Sequence, residues 1–292
     1  MFSGCATAII TPFKENGEID EEGLRELVTF QEEQGIDAIV PCGTTGESAT
    51  LTHEEHVKVI KIVVDHVKKA KVIAGAGSNA THEAIYLSRA AKDLGVDGIL
   101  SISPYYNKPT QKGIFEHYER IAHAVDLPIV IYNVPSRTGS NIEVSTVMKL
   151  AEIPNIVGIK EASGNIVQVM NILAQAPKGF VVLSGDDVLT YPMMTLGAKG
   201  VVSVASNVVP SMVKSMVDHL LAGEWEEARR LHFKLLPLFK NLFIETNPIP
   251  VKTSLRLMGK PAGSFRLPLC EMSLSNLEIL MQTLLDLGVI SK

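Results

Sequence analysis

Ile156-Val157-Gly158-Ile159-Lys160-Glu161-Ala162 is a short apolar run with a lysine inside it, and it reads as a buried strand of a parallel sheet. Runs of the same kind recur along the chain. They lie at Gly4–Ile10, Ala38–Pro41, Lys71–Ala74, Gly98–Ser101, Pro128–Tyr132, Ile156–Glu161, Phe180–Ser184 and Gly200–Val204, eight in all, each followed by a helical pattern. Eight βα units predict an α/β fold, a closed (β/α)8 TIM barrel. The helix signals agree. Asp20 is placed to cap a helix over 21–34 that stops at Gly35, Thr52-x-x-Glu55 is a capping-box pattern, and Thr81 opens a helix that ends at Gly95. Leu24, Leu27, Val28 and Gln31, then Ala84, Leu87, Ala91 and Leu94, mark core-facing stripes at helical spacing.

After the eighth run only helical patterns follow, at 210–221, 224–242, 249–258 and 273–287. The expected organisation is a barrel over 1–222 and a C-terminal helical extension over 223–292 packed on it. An open doubly wound sheet would carry a glycine-rich phosphate loop after its first strand. Here that turn is Thr11-Pro12-Phe13-Lys14, and the spaced glycines of Ala74-Gly75-Ala76-Gly77-Ser78-Asn79 need only allow a tight turn.

Composition narrows the function. The 292 residues are 46% hydrophobic and 20% charged, with net charge -5 and dispersed basic residues, which argues against nucleic acid and against a membrane surface as partners. MFSGCATAIITPF lacks the charged-then-apolar pattern of a leader, and no apolar stretch reaches the roughly 20 residues a membrane span needs. A cytoplasmic location is expected. Cys5, Cys42 and Cys270 are odd in number and far apart, which fits reduced thiols.

Lys160 then has two readings. A strand-end lysine can reach solvent or pair with Glu161. A buried one sheds its proton and becomes the amine that attacks carbonyls to form a Schiff base. In a barrel of this type function gathers at the carboxyl ends of the strands. There the sequence places Gly43-Thr44-Thr45-Gly46-Glu47-Ser48, whose backbone N–H groups and hydroxyls suit a carboxylate; Tyr105 and Tyr106; Tyr132 and Arg137; and Gly185. Singly each is an ordinary turn or packing residue. Together, an amine, hydroxyls and an anion clamp describe carbonyl chemistry on an acid.

The ordered series TAIITPF (7–13), GTTGESATL (43–51), SPYYNKPTQ (103–111), YNVPSRTG (132–139), GIKEASG (158–164), SGDD (184–187) and ETNPIPVK (245–252) resembles, nearly end to end, the dihydrodipicolinate synthase (4-hydroxy-tetrahydrodipicolinate synthase) family of the pyruvate-dependent class I aldolases. The glycine turn and the lysine are common to that superfamily, whereas YYNKP and NVPSRTG point to the synthases. The resemblance implies a lyase of the diaminopimelate route of lysine biosynthesis, condensing pyruvate with aspartate semialdehyde. It implies that Lys160 forms the pyruvate imine and that Thr44, Tyr132 and Tyr106 make a proton relay, Tyr106 entering the site of a neighbouring subunit. Thr44 and Thr45 would bind the pyruvate carboxylate and Arg137 that of the semialdehyde, with Gly185 and Val202 lining the pocket. A homotetramer built as a dimer of dimers follows from the same resemblance.

Thr52-His53-Glu54-Glu55-His56 invites a metal reading, but its histidines stand at i and i+3 rather than the i and i+4 of a zinc helix. The resemblance offers another role: Ser48, Ala49, His53, His56, Asn79, Glu83 and Tyr105 coincide with positions that bind lysine as feedback inhibitor in regulated members. Asp186 and Asp187 suggest a metal in the same way, yet a covalent imine of pyruvate with Lys160 already supplies the electron sink, so neither metal nor separate cofactor is expected. The alternatives are a sister aldolase acting on a sugar acid, such as an N-acetylneuraminate lyase or a keto-deoxy-sugar-acid aldolase, and a non-catalytic keto-acid binding protein on the same scaffold.

Overall fold

All eight apolar runs become parallel strands in the computed structural model, which describes residues 2–291. They are β1 (Gly4–Ala8), β2 (Ala38–Val40), β3 (Lys71–Gly75), β4 (Gly98–Ile102), β5 (Ile129–Asn133), β6 (Ile156–Glu161), β7 (Val181–Ser184) and β8 (Gly200–Ser203). They pair in chain order and β8 returns to β1, so the sheet closes into a barrel. The seam is glycine on glycine: a Cβ on Gly200 would stand 2.0 Å from the Gly4 carbonyl oxygen, so only hydrogen fits there.

The helices are α1 (Glu21–Glu33), α2 (His53–His66), α3 (Thr81–Asp93), α4 (Gln111–Ala124), α5 (Pro135–Thr138), α6 (Val144–Leu150), α7 (Ile166–Gln175), α8 (Thr190–Thr195), α9 (Pro210–Ala222), α10 (Trp225–Asn241), α11 (Ile249–Leu257) and α12 (Leu274–Asp286). Asp20 caps α1 by accepting from Gly23 N at 3.1 Å, and Thr52 and Glu55 form the reciprocal capping box of α2. Among the described residues no helix is long and apolar enough to cross a membrane.

Strand alternation divides the apolar residues into two layers. Ala6, Ala8, Ala38, Val40, Ile73, Leu100, Val130, Leu183 and Val202 fill the barrel interior, and Cys5, Ile39, Val72, Ile99, Ile129, Ile131, Ile159 and Val201 face the helices. Several expected strand ends move by one or two residues for visible reasons. β1 stops at Ala8 because Ile10 N donates to the side-chain Oδ1 of Asn207 (3.3 Å) instead of a neighbouring strand. β7 begins at Val181 because Phe180 N closes a turn onto Pro177 O at 3.0 Å. Past β8, α9 packs against β1, α10 against α9, and α12 against α10 and α11, which brings the segment around Asn247 and Lys252 over the carboxyl end of the barrel.

Candidate active site

Lys160 lies in register with Tyr132 on β5 and Leu183 on β7, on the inward face of the barrel. It is 7% exposed. Its amine nitrogen stands 4.1 Å from the centre of the Tyr132 ring. Gly185 makes room for the side chain, since a Cβ there would come within 2.9 Å of the Lys160 Cε. The pairing with Glu161 does not occur: strand alternation turns Glu161 to the other face, where its carboxylate accepts from Asn133 Nδ2 (3.0 Å), Gln168 Nε2 (3.1 Å) and Ser163 N (2.7 Å). Burial therefore acts on Lys160 with little relief, and its amine is lowered from 10.5 to about 7, Asp187 opposing the fall and Arg137 adding to it.

Asp187 is itself buried, its Oδ2 accepting from Val204 N (3.0 Å) and Ala205 N (2.9 Å) while Oδ1 has no hydrogen-bond partner. Burial raises its carboxyl pKa. Burial likewise pushes the Tyr132 phenol up to about 12, against the pull of the Arg137 charge and the Thr44 hydroxyl. A phenol that holds its proton is a donor to a developing oxyanion or amine leaving group, and it passes protons only through hydrogen-bonded neighbours.

These residues surround a cavity of about 730 Å³, lined by Lys160, Tyr132, Thr44, Thr45, Arg137, Gly185 and Asp186 among others. The turn after β2 is fixed on both flanks. Thr11 Oγ1 donates to Gly46 O (2.7 Å), and Asn247 Nδ2 donates to Thr45 Oγ1 (3.0 Å). Arg137, on the short helix α5, donates to the Asn247 carbonyl at 3.3 Å, so the tail ties the hydroxyl turn to the guanidinium. Asn247 is a site residue that sequence reasoning missed; its one signal was its place inside the ETNPIPVK motif (245–252).

Val202 does not line this cavity. It sits opposite Ala6 in the barrel interior, one layer below, and Val204 is the β8-side residue that reaches the cavity wall. Tyr106 does not approach Tyr132 or Thr44 of its own chain either; it is 88% exposed on a left-handed backbone (φ 73).

A second cavity, of about 480 Å³, adjoins the first, and Thr44, Tyr132, Arg137 and Asn247 border both. Ser48, Ala49, His53, His56, Glu83 and Tyr105 line it. Asn79 does not: its carbonyl accepts from Asn107 Nδ2 (3.0 Å), and the neighbouring Ser78 takes its place on the wall, donating to Glu83 Oε2 at 2.6 Å. His56 meets the Gly75 carbonyl through Nε2 at 2.6 Å, and burial lowers its pKa, so its ring is a packing and hydrogen-bonding element at neutral pH.

Comparison with known proteins gives the family. The 4-hydroxy-tetrahydrodipicolinate synthase of Methanocaldococcus jannaschii is 56% identical over 292 residues, covering 99% of this chain and all of the relative. Among solved structures, the dihydrodipicolinate synthase of Aquifex aeolicus superposes with a TM-score of 0.98 at 52% identity, each chain covered completely. A synthase from Cyanidioschyzon merolae solved with lysine bound superposes with a TM-score of 0.97 at 46% identity, covering 99% of each chain. With the sequence model of that family matching residues 1–286, the chain belongs to the dihydrodipicolinate synthetase family.

Proposed function

We propose that this enzyme condenses pyruvate with L-aspartate 4-semialdehyde through a Schiff base on Lys160, giving 4-hydroxy-tetrahydrodipicolinate on the way to lysine. The observation that carries the reading is a buried amine with a pKa near 7, set against a tyrosine ring inside a cavity that also presents hydroxyls and a guanidinium. The neutral amine adds to the pyruvate carbonyl and water leaves, with Tyr132 moving protons by way of Thr44. The N–H groups and hydroxyls at Thr44 and Thr45 hold the pyruvate carboxylate. Loss of a methyl proton turns the imine into an enamine, whose carbon attacks the aldehyde while Arg137 holds the second carboxylate. The substrate's own amine then attacks the imine carbon, closes the ring and frees Lys160. No metal and no further cofactor take part.

Tyr106 completes the proton relay in a neighbouring protomer, and its exposure on the rim of the barrel supports that role. The working assembly is a homotetramer, a dimer of dimers, in the cytoplasm. Lysine is the inhibitor, taken up in the second cavity with its ammonium group at Glu83; the lysine-bound relative supports this.

The test is pyruvate consumption by purified protein with and without the semialdehyde, with N-acetylmannosamine as control, beside borohydride trapping of pyruvate. Turnover that requires the semialdehyde is expected. Lys160→Ala is expected to trap no pyruvate, and Arg137→Ala to trap it while saturating poorly with the aldehyde. An adduct on the Lys160→Ala protein would refute the assignment of the nucleophile, and indifference to millimolar-scale lysine (about the top of the usual small-ligand range) would refute the inhibitor site alone.

A further inference from the structure

The hydroxyl turn between β2 and α2 is strained at both ends. Cys42 and Glu47 bracket it, and both hold left-handed backbone, φ 56 and φ 54, a region that residues with a Cβ seldom occupy unless their surroundings hold them there. Its internal bonds are few: Gly46 N donates to Gly43 O and Glu47 N to Thr44 O, each at 3.1 Å, and Ser48 N to Gly43 O at 3.4 Å. Thr50 N and Oγ1 hold the Glu47 carbonyl (3.1 and 3.2 Å), but the shortest bond to its side chain comes from 205 residues further along. Its carboxylate Oε1 is 2.6 Å from Nζ of Lys252 on α11, and both side chains are fully buried. The other two ammonium protons of Lys252 go to Ser264 O (2.6 Å) and Thr11 O (3.2 Å), and the rings of Phe13 and Phe265 enclose it at 4.7 and 5.1 Å. Thr11 in turn grips Gly46 through its hydroxyl. One cluster therefore holds two consecutive turn residues just past Thr44 and Thr45.

A buried ion pair is weak evidence for stability, since apolar residues of similar size fill such a place as well. What the charges supply is a fixed location. We propose that Glu47 and Lys252 are positioning residues for pyruvate: the pair locks the left-handed Glu47, and through it sets the N–H groups and hydroxyls of Thr44 and Thr45 where the pyruvate carboxylate binds. The inference rests on the pyruvate reading of the cavity and names a determinant of that substrate's affinity outside the cavity's reacting groups.

The experiment compares wild type with Glu47→Asp and with the double variant Glu47→Gln/Lys252→Met, which removes both charges at nearly constant volume. Folding is checked by circular dichroism, and KM is measured separately for pyruvate and for the semialdehyde. In the double variant the pyruvate KM is expected to rise about tenfold or more, while that of the semialdehyde, whose carboxylate goes to Arg137 on α5, joined to the turn only through Asn247, rises by no more than about threefold. Glu47→Asp keeps both charges and withdraws the carboxylate by one methylene; its pyruvate KM is expected to rise about threefold. A double variant that does not fold leaves Glu47→Asp to decide. Unchanged pyruvate KM, or an equal rise for both substrates, overturns the proposal. Wild type that traps no pyruvate refutes the reading of the cavity and this inference with it; trapping wild type with unaffected variants refutes the inference alone.

Discussion

Replacing Lys160 with methionine should make the protein more stable, by an amount that depends on pH. Lowering the amine from 10.5 to about 7 corresponds to about 5 kcal/mol of stability forgone when both states are protonated, at about 1.4 kcal/mol for each tenfold change in proton affinity. The sign follows from proton binding. Between pH 7 and 10.5 the unfolded chain holds the lysine proton and the folded one does not, so wild-type stability climbs as pH rises through that window. Below pH 7 both states carry the proton and the folded state bears the full burial penalty. Methionine has nearly the same shape and no charge, so it escapes that penalty. The gain expected from Lys160→Met is about 5 kcal/mol at pH 6 and about 2 kcal/mol at pH 9. Urea unfolding of wild type and variant at fixed protein concentration, repeated at both pH values, measures it. A variant no more stable than wild type at pH 6, or a gap that fails to narrow by pH 9, would refute the claim that burial holds this amine neutral.

Trapping of pyruvate should follow the same amine, falling about tenfold per pH unit below about pH 7 and levelling above it. Because Asp187 opposes and Arg137 assists the depression of Lys160, Asp187→Asn should move the apparent midpoint down and Arg137→Ala move it up, read from the pH dependence of single-turnover trapping. Tyr132→Phe removes the phenol proposed to shuttle protons and should lower kcat by about 10²-fold or more, with a stopped assay of pyruvate consumption as the check; a loss under about threefold would exclude the phenol from proton transfer. Thr52→Ala breaks the capping box of α2 and should cost about 1 kcal/mol in urea unfolding.

The barrel was legible because its evidence is local. Every strand run and every tail helix expected from apolar periodicity appears, with ends moved where a side chain such as Asn207 or a turn such as Pro177–Phe180 takes over a backbone group. Lys160 and Tyr132 share a wall because the period of two puts them on one face of neighbouring strands. The period alone does not say how deep along the barrel a side chain lies, which is why Val202 falls in the packed interior and Val204 at the cavity. Asn247, Glu47 and Lys252 escaped for a different reason. Their partners are some 200 residues away, at |i−j| of 202 and 205, and neither periodicity nor motif spacing carries information across that distance.

That distance also sets when the enzyme comes into being. Strand β6 with its lysine leaves the ribosome well before α11, yet the turn that would hold the substrate's carboxylate lacks Lys252 and Asn247 until the tail arrives. Contacts of such long sequence separation form late, because loop closure must be met before they return anything. The amine is thus synthesised early and equipped last, so a prematurely terminated chain is expected to be a silent product rather than a half-working one.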